Sequence, residues 1–302
     1  MNDKCNDAGA VEDLELPATE YTGELSPGGL KRVKTEARRS DSMYYVPPEQ
    51  LVVMDGFNIR IRTQSYLDYV RELADSIKDH GYDSDSTILV YVRDNNGADE
   101  LVVIDGHTRL EAVAIARAEG ADIDAVPVIF APKSMNIEDA MVKLKRRNGS
   151  RSLTAYELAI LCKRQEAREF SHADIARSLS ITAAYVASLL LLASAPRSLI
   201  NLVVDETVTA TLAIQEIRAH GPEKAAARLK AMAEAQAERG KGKVTSKNRP
   251  EAKFESGVKK AAPKLFERVK SIHGDPGYAA LSQDNRDAID QLMAELEELR
   301  KG

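Results

Sequence analysis

Apolar positions along the chain change rhythm near residue 136. Before it, short β-branched runs alternate with amphipathic stretches. Residues 65–80 place Leu67, Val70, Leu73, Ala74 and Ile77 at three- and four-residue spacings, which predicts a helix ended by Gly81. Thr87–Val92 and Leu101–Ile104 read as two strands, and the loop RDNNGADE between them carries the turn pair Asn96-Gly97. Asp105-Gly106 breaks the second strand. A helix then runs from about His107 to Glu119, with Gly120 in a C-terminal capping position. Ala125–Phe130 predicts a further strand, which Pro127 assigns to an edge or a bulge. From Asn136 to Ala237 the period is helical. Turns fall near Asn148-Gly149, Phe170-Ser171, Ser180, Pro196 and His220-Gly221-Pro222.

The flanks differ. Residues 1–42 are polar and aperiodic, which predicts a disordered acidic tail. Residues 239–256 read as a basic linker. Residues 257–302 suggest two helices broken at HGDPG. The last carries Ile289, Leu292, Met293, Leu296 and Leu299 on one face, for docking on its own domain or for dimerisation. The expected class is α+β: an αβ domain over 43–135, then an all-helical domain over 136–238.

Composition supports that class. A chain of 302 residues suggests about two domains. With 43% hydrophobic residues, 5% aromatics and no Trp, it favours Ala/Leu helix packing over a β-sandwich. The two cysteines, Cys5 and Cys162, make neither a disulfide scaffold nor a four-ligand zinc site, so a reducing cytoplasm is expected. The apolar run Leu189–Ala193 is too short to span a bilayer. Residues 1–30 lack the basic start and apolar stretch of a secretory signal.

The net charge of −5 hides a partition. Residues 1–30 hold seven acids against Lys4. Residues 143–170 hold eight bases, among them Lys143, Lys145, Arg146, Arg147 and Arg151, against three acids. Residues 239–260 hold eight bases against two acids. Acidic tails beside basic blocks are frequent in nucleic-acid proteins, and solvated helix faces give the same pattern.

Two constellations carry candidate chemistry. In Asp105-Gly106-His107-Thr108-Arg109-Leu110-Glu111 a strand ends and a helix begins, so free N–H groups meet the positive end of the helix dipole. Gly106 admits an anion close to the backbone, and Arg109 adds a cation one turn in. The plainer alternative is an Asp105 cap with Arg109 in a surface ion pair. No second His or Cys lies at metal spacing from His107. The second constellation, His172–Leu191, fits a helix-turn-helix. Ala176 takes the small crossing position. Ile175, Leu179, Ile181 and Val186 fill the core, Ser180 takes the turn, and Ser171 and Thr182 cap the helices. Thr182, Ala183, Tyr185 and Ser188 point outward on the second helix. None of them is a residue that reads bases bidentately.

The ordered pair resembles the ParB family of partition proteins over roughly residues 45–220. The family's first box is similar to Gly56-Phe57-Asn58-Ile59-Arg60, with Asn58 and Arg60 agreeing. Its second falls on Gly106–Ala112, where Gly106, Arg109 and Ala112 match and His107, Thr108 and Glu111 depart. Its third falls on Arg147–Arg151, where Asn148 and Arg151 match and Arg147 replaces the family's Glu. Tyr185-Val186-Ala187 and Thr209–Ala213 are similar as well.

The resemblance implies a ParB/sulfiredoxin-like αβ domain followed by a helix-turn-helix domain, in a divergent plasmid- or phage-type member. It implies CTP with Mg at Asn58, Arg60, Gly106, His107, Thr108, Arg109, Asn148 and Arg151. It also implies a homodimer on double-stranded DNA, a partition ATPase as partner, and the bacterial cytoplasm or nucleoid. Two phosphate-facing positions have lost positive charge, and a misplaced charge at close range costs about 1–4 kcal/mol. DNA contacts are expected from Lys143, Lys145, Arg146, Arg147, Ser171, Thr182, Ala183, Tyr185 and Ser188.

Two further readings stay open. One is a nuclease or phosphotransferase using Asp105, His107 and Glu111 as acid/base groups, with Arg109 on phosphate. The other is a non-enzymatic adaptor with a decayed nucleotide site. Sulfiredoxin chemistry lacks its Cys here, and no P-loop occurs.

Overall fold

The computed structural model describes residues 14–40, 43–146, 151–240 and 242–301. The chain divides between Lys243 and Val244 into two units.

The first unit opens with α1 (Leu30–Glu36), β1 (Arg38–Ser40), β2 (Met43–Val46), β3 (Leu51–Val52) and α2 (Gln64–His80). It continues through β4 (Ile88–Asn95), β5 (Ala98–Asp105), α3 (His107–Ala118) and β6 (Val126–Phe130). The six described strands form one sheet in the order β1-β2-β6-β4-β5-β3. Strands β4 and β5 make an antiparallel hairpin, and β6 runs parallel to β4. Asn96 and Gly97 both have positive φ, 53° and 86°, as the two-residue turn between twisted strands demands.

Ile88, Val90, Val92, Leu101 and Val103 face α2 and α3. The alternate positions Leu89, Tyr91, Val102 and Ile104 are buried too, on the face that α4 (Ile137–Arg146) helps cover. A sheet covered on both sides explains why these strands read as continuous apolar runs. Each such side chain contributes about 1.5–3 kcal/mol on burial.

The rest of the unit is helical: α5 (Ala155–Glu166), α6 (His172–Leu179), α7 (Ala183–Ala193), α8 (Arg197–Val204), α9 (Ala210–His220) and α10 (Pro222–Ala237). The fold is α+β, as the pattern predicts. In the second unit, α11 (Pro250–His273) pairs with α12 (Gln283–Lys301). Among the described residues no single helix is long and apolar enough to cross a membrane.

Four expectations are corrected. Residues 14–40 are ordered rather than a disordered tail. They carry α1 and β1, and Gly28 N donates to Val92 O at 2.8 Å while Asp94 N donates to Ser26 O at 2.9 Å. Backbone hydrogen bonds to β4 fix the segment together with a few apolar contacts, Leu30, Val33 and Ala37 on the sheet's core and Tyr21 on Phe57. Pro127 lies in an interior strand, opposite Tyr45; pairing with β4 starts one residue later, at Val128. Leu67 is 36% exposed, and Tyr66 takes its place in the core. Residues 250–256 belong to α11 rather than to a linker, since Pro250 occupies the first helical position, where its missing N–H costs nothing.

Candidate functional site

Strand β5 ends at Asp105, and α3 begins at His107 with no side-chain cap on its first turn. Between them Gly106 has φ +103°. A Cβ there would lie 3.1 Å from Ile88 Cγ1, so glycine is required both by conformation and by space. Beside this helix end is a cavity of about 290 Å³. It gathers Asn58, Ile59 and Arg60 from the loop before α2, Thr87 and its two predecessors from the edge of β4, and Arg151 and Leu153 from the lead into α5. Asn58, Arg60, Gly106, His107, Thr108, Arg109 and Arg151, selected from sequence, all line it. Asn148 lies outside the described residues.

The cations arrive with partners. Arg60 donates to Glu157 Oε2 and to Ser152 O, each at 3.1 Å, and to Arg151 O. Its backbone N donates to Asn58 Oδ1 at 3.1 Å. Arg109 donates to Thr87 O and, at 3.1 Å, to Asp105 Oδ2. Arg151 donates to Ser65 O and Oγ, both at 3.1 Å, and lies over the Tyr66 ring. With Asp85 and Asp105 also in the wall, the cavity is polar and only modestly positive. The Asp105–Arg109 pair of the plainer reading forms, but with Asp105 buried rather than at the surface and with Gly106 rather than Asp105 in the capping position.

The proposed acid/base trio is not assembled. Burial, helped by Arg109, pushes the His107 imidazole down to about 4, with a hydrogen bond to the Val103 backbone opposing. The ring is therefore neutral at pH 7, and its Nε2 has no hydrogen-bond partner. Glu111 does not line the cavity. It accepts from Tyr66 Oη at 2.8 Å and pairs with Arg62 at 2.7 Å. Among the described residues no three His, Cys, Asp or Glu side chains converge as a metal site requires.

The second constellation folds as two helices whose axes differ by 103°. Ser171 and Thr182 cap α6 and α7, accepting from Asp174 N and Tyr185 N at 3.2 Å each. Ser180 adopts a left-handed φ of +51° at the turn. Thr182, Ala183, Ala184, Tyr185 and Ala187 are exposed. Ser188 is not: it donates to Ala184 O at 2.7 Å and accepts from Arg218 at 2.6 Å, because α5 and α9 pack against α7.

The basic block is largely consumed within the unit. Lys145 donates to Leu179 O. Lys163 pairs with Glu166, and Arg168 with Glu138. Arg164 is 1% exposed and donates to Ala18 O, Gly56 O and Phe57 O at 2.8–3.0 Å, with Tyr21 against its guanidinium. Lys143 is half-buried. Arg147 and the Arg146 side chain lie outside what is described. Sequence reasoning missed Glu157 and Arg164 as organisers of the site. Thr154-x-x-Glu157 was legible as a capping box, but nothing in the sequence marks Arg164 as buried.

No family model matches the chain, and no curated protein matches it. Among solved structures it is similar to the C-terminally truncated chromosome-partitioning protein ParB from Caulobacter crescentus complexed to the centromeric parS site. That match has 20% identity and a TM-score of 0.40, and covers 65% of this chain and 92% of that one. It is similar also to the C-terminally truncated ParB from the same organism complexed with CTP-gamma-S, with 21% identity and a TM-score of 0.30, covering 63% of this chain and 99% of that one.

Proposed function

We propose that the chain is a DNA-binding protein of the partition type, acting in plasmid, phage or mobile-element maintenance, whose grip on duplex DNA is modulated by an anion in the α3 cavity. The carrying observation is the α6–α7 pair: a capped, exposed α7 N-terminus set at 103° to α6, with the second half of α7 buried against its own body. That is the geometry by which a helix enters a major groove N-terminus first. Thr182 and Tyr185 make the contact. The exposed alanines leave room for close approach but read no bases, so affinity comes mainly from the backbone.

The cavity fits a phosphate group. Gly106 carries no Cβ and the first turn of α3 no side-chain cap, so the amides of residues 107 and 108 would hold one phosphate. CTP is the proposed ligand, and it would bring its own metal. Asp85 and Asp105 oppose a full triphosphate unless Arg60, Arg109 and Arg151 exchange partners on binding. A homodimer and a partition ATPase complete the reading.

The test is duplex binding at rising salt, with and without CTP and Mg²⁺. Binding that falls linearly in log salt and is lost in Thr182→Ala/Tyr185→Ala supports the groove assignment. Unchanged binding in that variant overturns it. Binding indifferent to CTP overturns the modulation.

A further inference from the structure

A second cationic surface lies on the β1 side of the sheet and shares no residue with the α3 cavity or with α6 and α7. Residues 31–39 hold five bases against Glu36. Arg32 turns to Asp99, at 2.6 Å. Lys31 and Lys34 of α1 instead converge with Lys133, just past β6, on a concavity of about 420 Å³ floored by Leu30 and Tyr44. None of these three lysines is in an ion pair among the described residues. The Lys34 ammonium sits 5.6 Å from the Tyr44 ring centre and 5.8 Å from that of Phe130. The two rings meet edge to face at 5.2 Å, and Arg39 lies over Tyr44 at 6.0 Å.

We propose that this patch is a second contact for nucleic acid, gripping the phosphodiester backbone of a duplex. The proposal rests on the DNA-binding reading but on different residues. Counterion release rewards cations not already bound within the protein. These three lysines form no ion pair among the described residues, although Asp99 lies near enough to Lys133 to feel its charge. Lys145 and Arg164, by contrast, are held by backbone carbonyls, and Lys163 and Arg168 by acids. The cation–π contacts hold Lys34 in one direction, which lowers the ordering cost of a phosphate contact. The same contacts decide between duplex and single strand. Lys34 and Arg39 already cover the Tyr44 ring and Lys34 the Phe130 ring, so the aromatics serve as a platform for cations rather than for bases.

The experiment uses the full chain with a labelled random-sequence duplex and a single strand of equal length, over a salt series. In Lys31→Ala/Lys34→Ala/Lys133→Ala the slope of log affinity against log salt should shrink by about 2–3, since each neutralised duplex phosphate contributes roughly 0.9. Thermal melting of this variant should stay within a few degrees of the parent, because the three side chains form no ion pairs among the described residues and only Lys34 gives up cation–π contacts. An unchanged slope in the triple variant, with binding lost in Tyr185→Ala, overturns the patch and leaves the groove assignment standing. A shrunken slope with Tyr185→Ala binding normally supports the patch and overturns the groove. A parent that prefers single strands and loses that preference in Tyr44→Leu overturns the duplex assignment. No binding to either probe overturns both readings.

Discussion

Arg60 and Glu157, 97 positions apart, form an ion pair at 3.1 Å with 6% and 2% of their side chains exposed. The same carboxylate accepts from Ile61 N at 3.0 Å and from Thr154 N at 2.8 Å. One acid thus closes the N-terminus of α5 and fixes the loop that forms a cavity wall. Removing it strands a buried guanidinium. Glu157→Ala should lose about 3–5 kcal/mol, read from urea midpoints at constant m-value, while Arg60→Met/Glu157→Leu should lose less.

His107 sets an acid limit on stability. Its folded pKa of about 4 lies below the ordinary value of 6.5. Between those values the unfolded chain binds a proton that the folded chain excludes, so stability falls as pH drops from about 6.5 to 4. The full effect is about 3 kcal/mol. His107→Gln should flatten urea midpoints across that window; an equal slope in parent and variant would exclude this histidine as the cause.

Gly106 admits no side chain. Gly106→Ala forces a non-glycine residue to φ +103° and brings a methyl to 3.1 Å from Ile88. We expect a loss of about 1–3 kcal/mol in thermal or urea unfolding, together with weaker anion binding at the α3 end.

Ser180 points the other way. A serine at φ +51° pays a steric penalty that glycine avoids. Ser180→Gly should stabilise the protein by about 0.5–1 kcal/mol and leave duplex affinity unchanged. A lower melting temperature would show that the serine hydroxyl offsets the strain.

The fold was most legible where one local signal decided the outcome. Asn96-Gly97 announced the β4–β5 hairpin, and Asp105-Gly106 announced the turn into α3. The cavity was legible in part for the same reason: Asn58, Arg60, Gly106, Arg109 and Arg151 sit in short recognisable boxes, and the fold brings them together. The partners of those residues were not legible. Glu157 meets Arg60, and the Thr87 carbonyl meets Arg109, through tertiary contacts that leave no spacing in the sequence. Charge was the least reliable guide. Arg164 and Arg168 count toward a basic block in one dimension, yet in three they bind backbone carbonyls and an acid. Ser188 went inward because Arg218, thirty residues on, reaches it.

The arginines that hold residues 14–23 also impose an order on synthesis. Ala18 is bound by Arg164, Gly23 by Arg168 and Leu14 by Arg197, at separations of 146, 145 and 183 residues. At translation rates of about 5–20 residues per second, residues 14–23 wait on the order of ten seconds or more for these three arginines. During that interval the β4–β5 hairpin and α2 already have their neighbours and Tyr21 can already meet Met54 and Phe57, so this stretch is secured in two stages, the arginines closing the second.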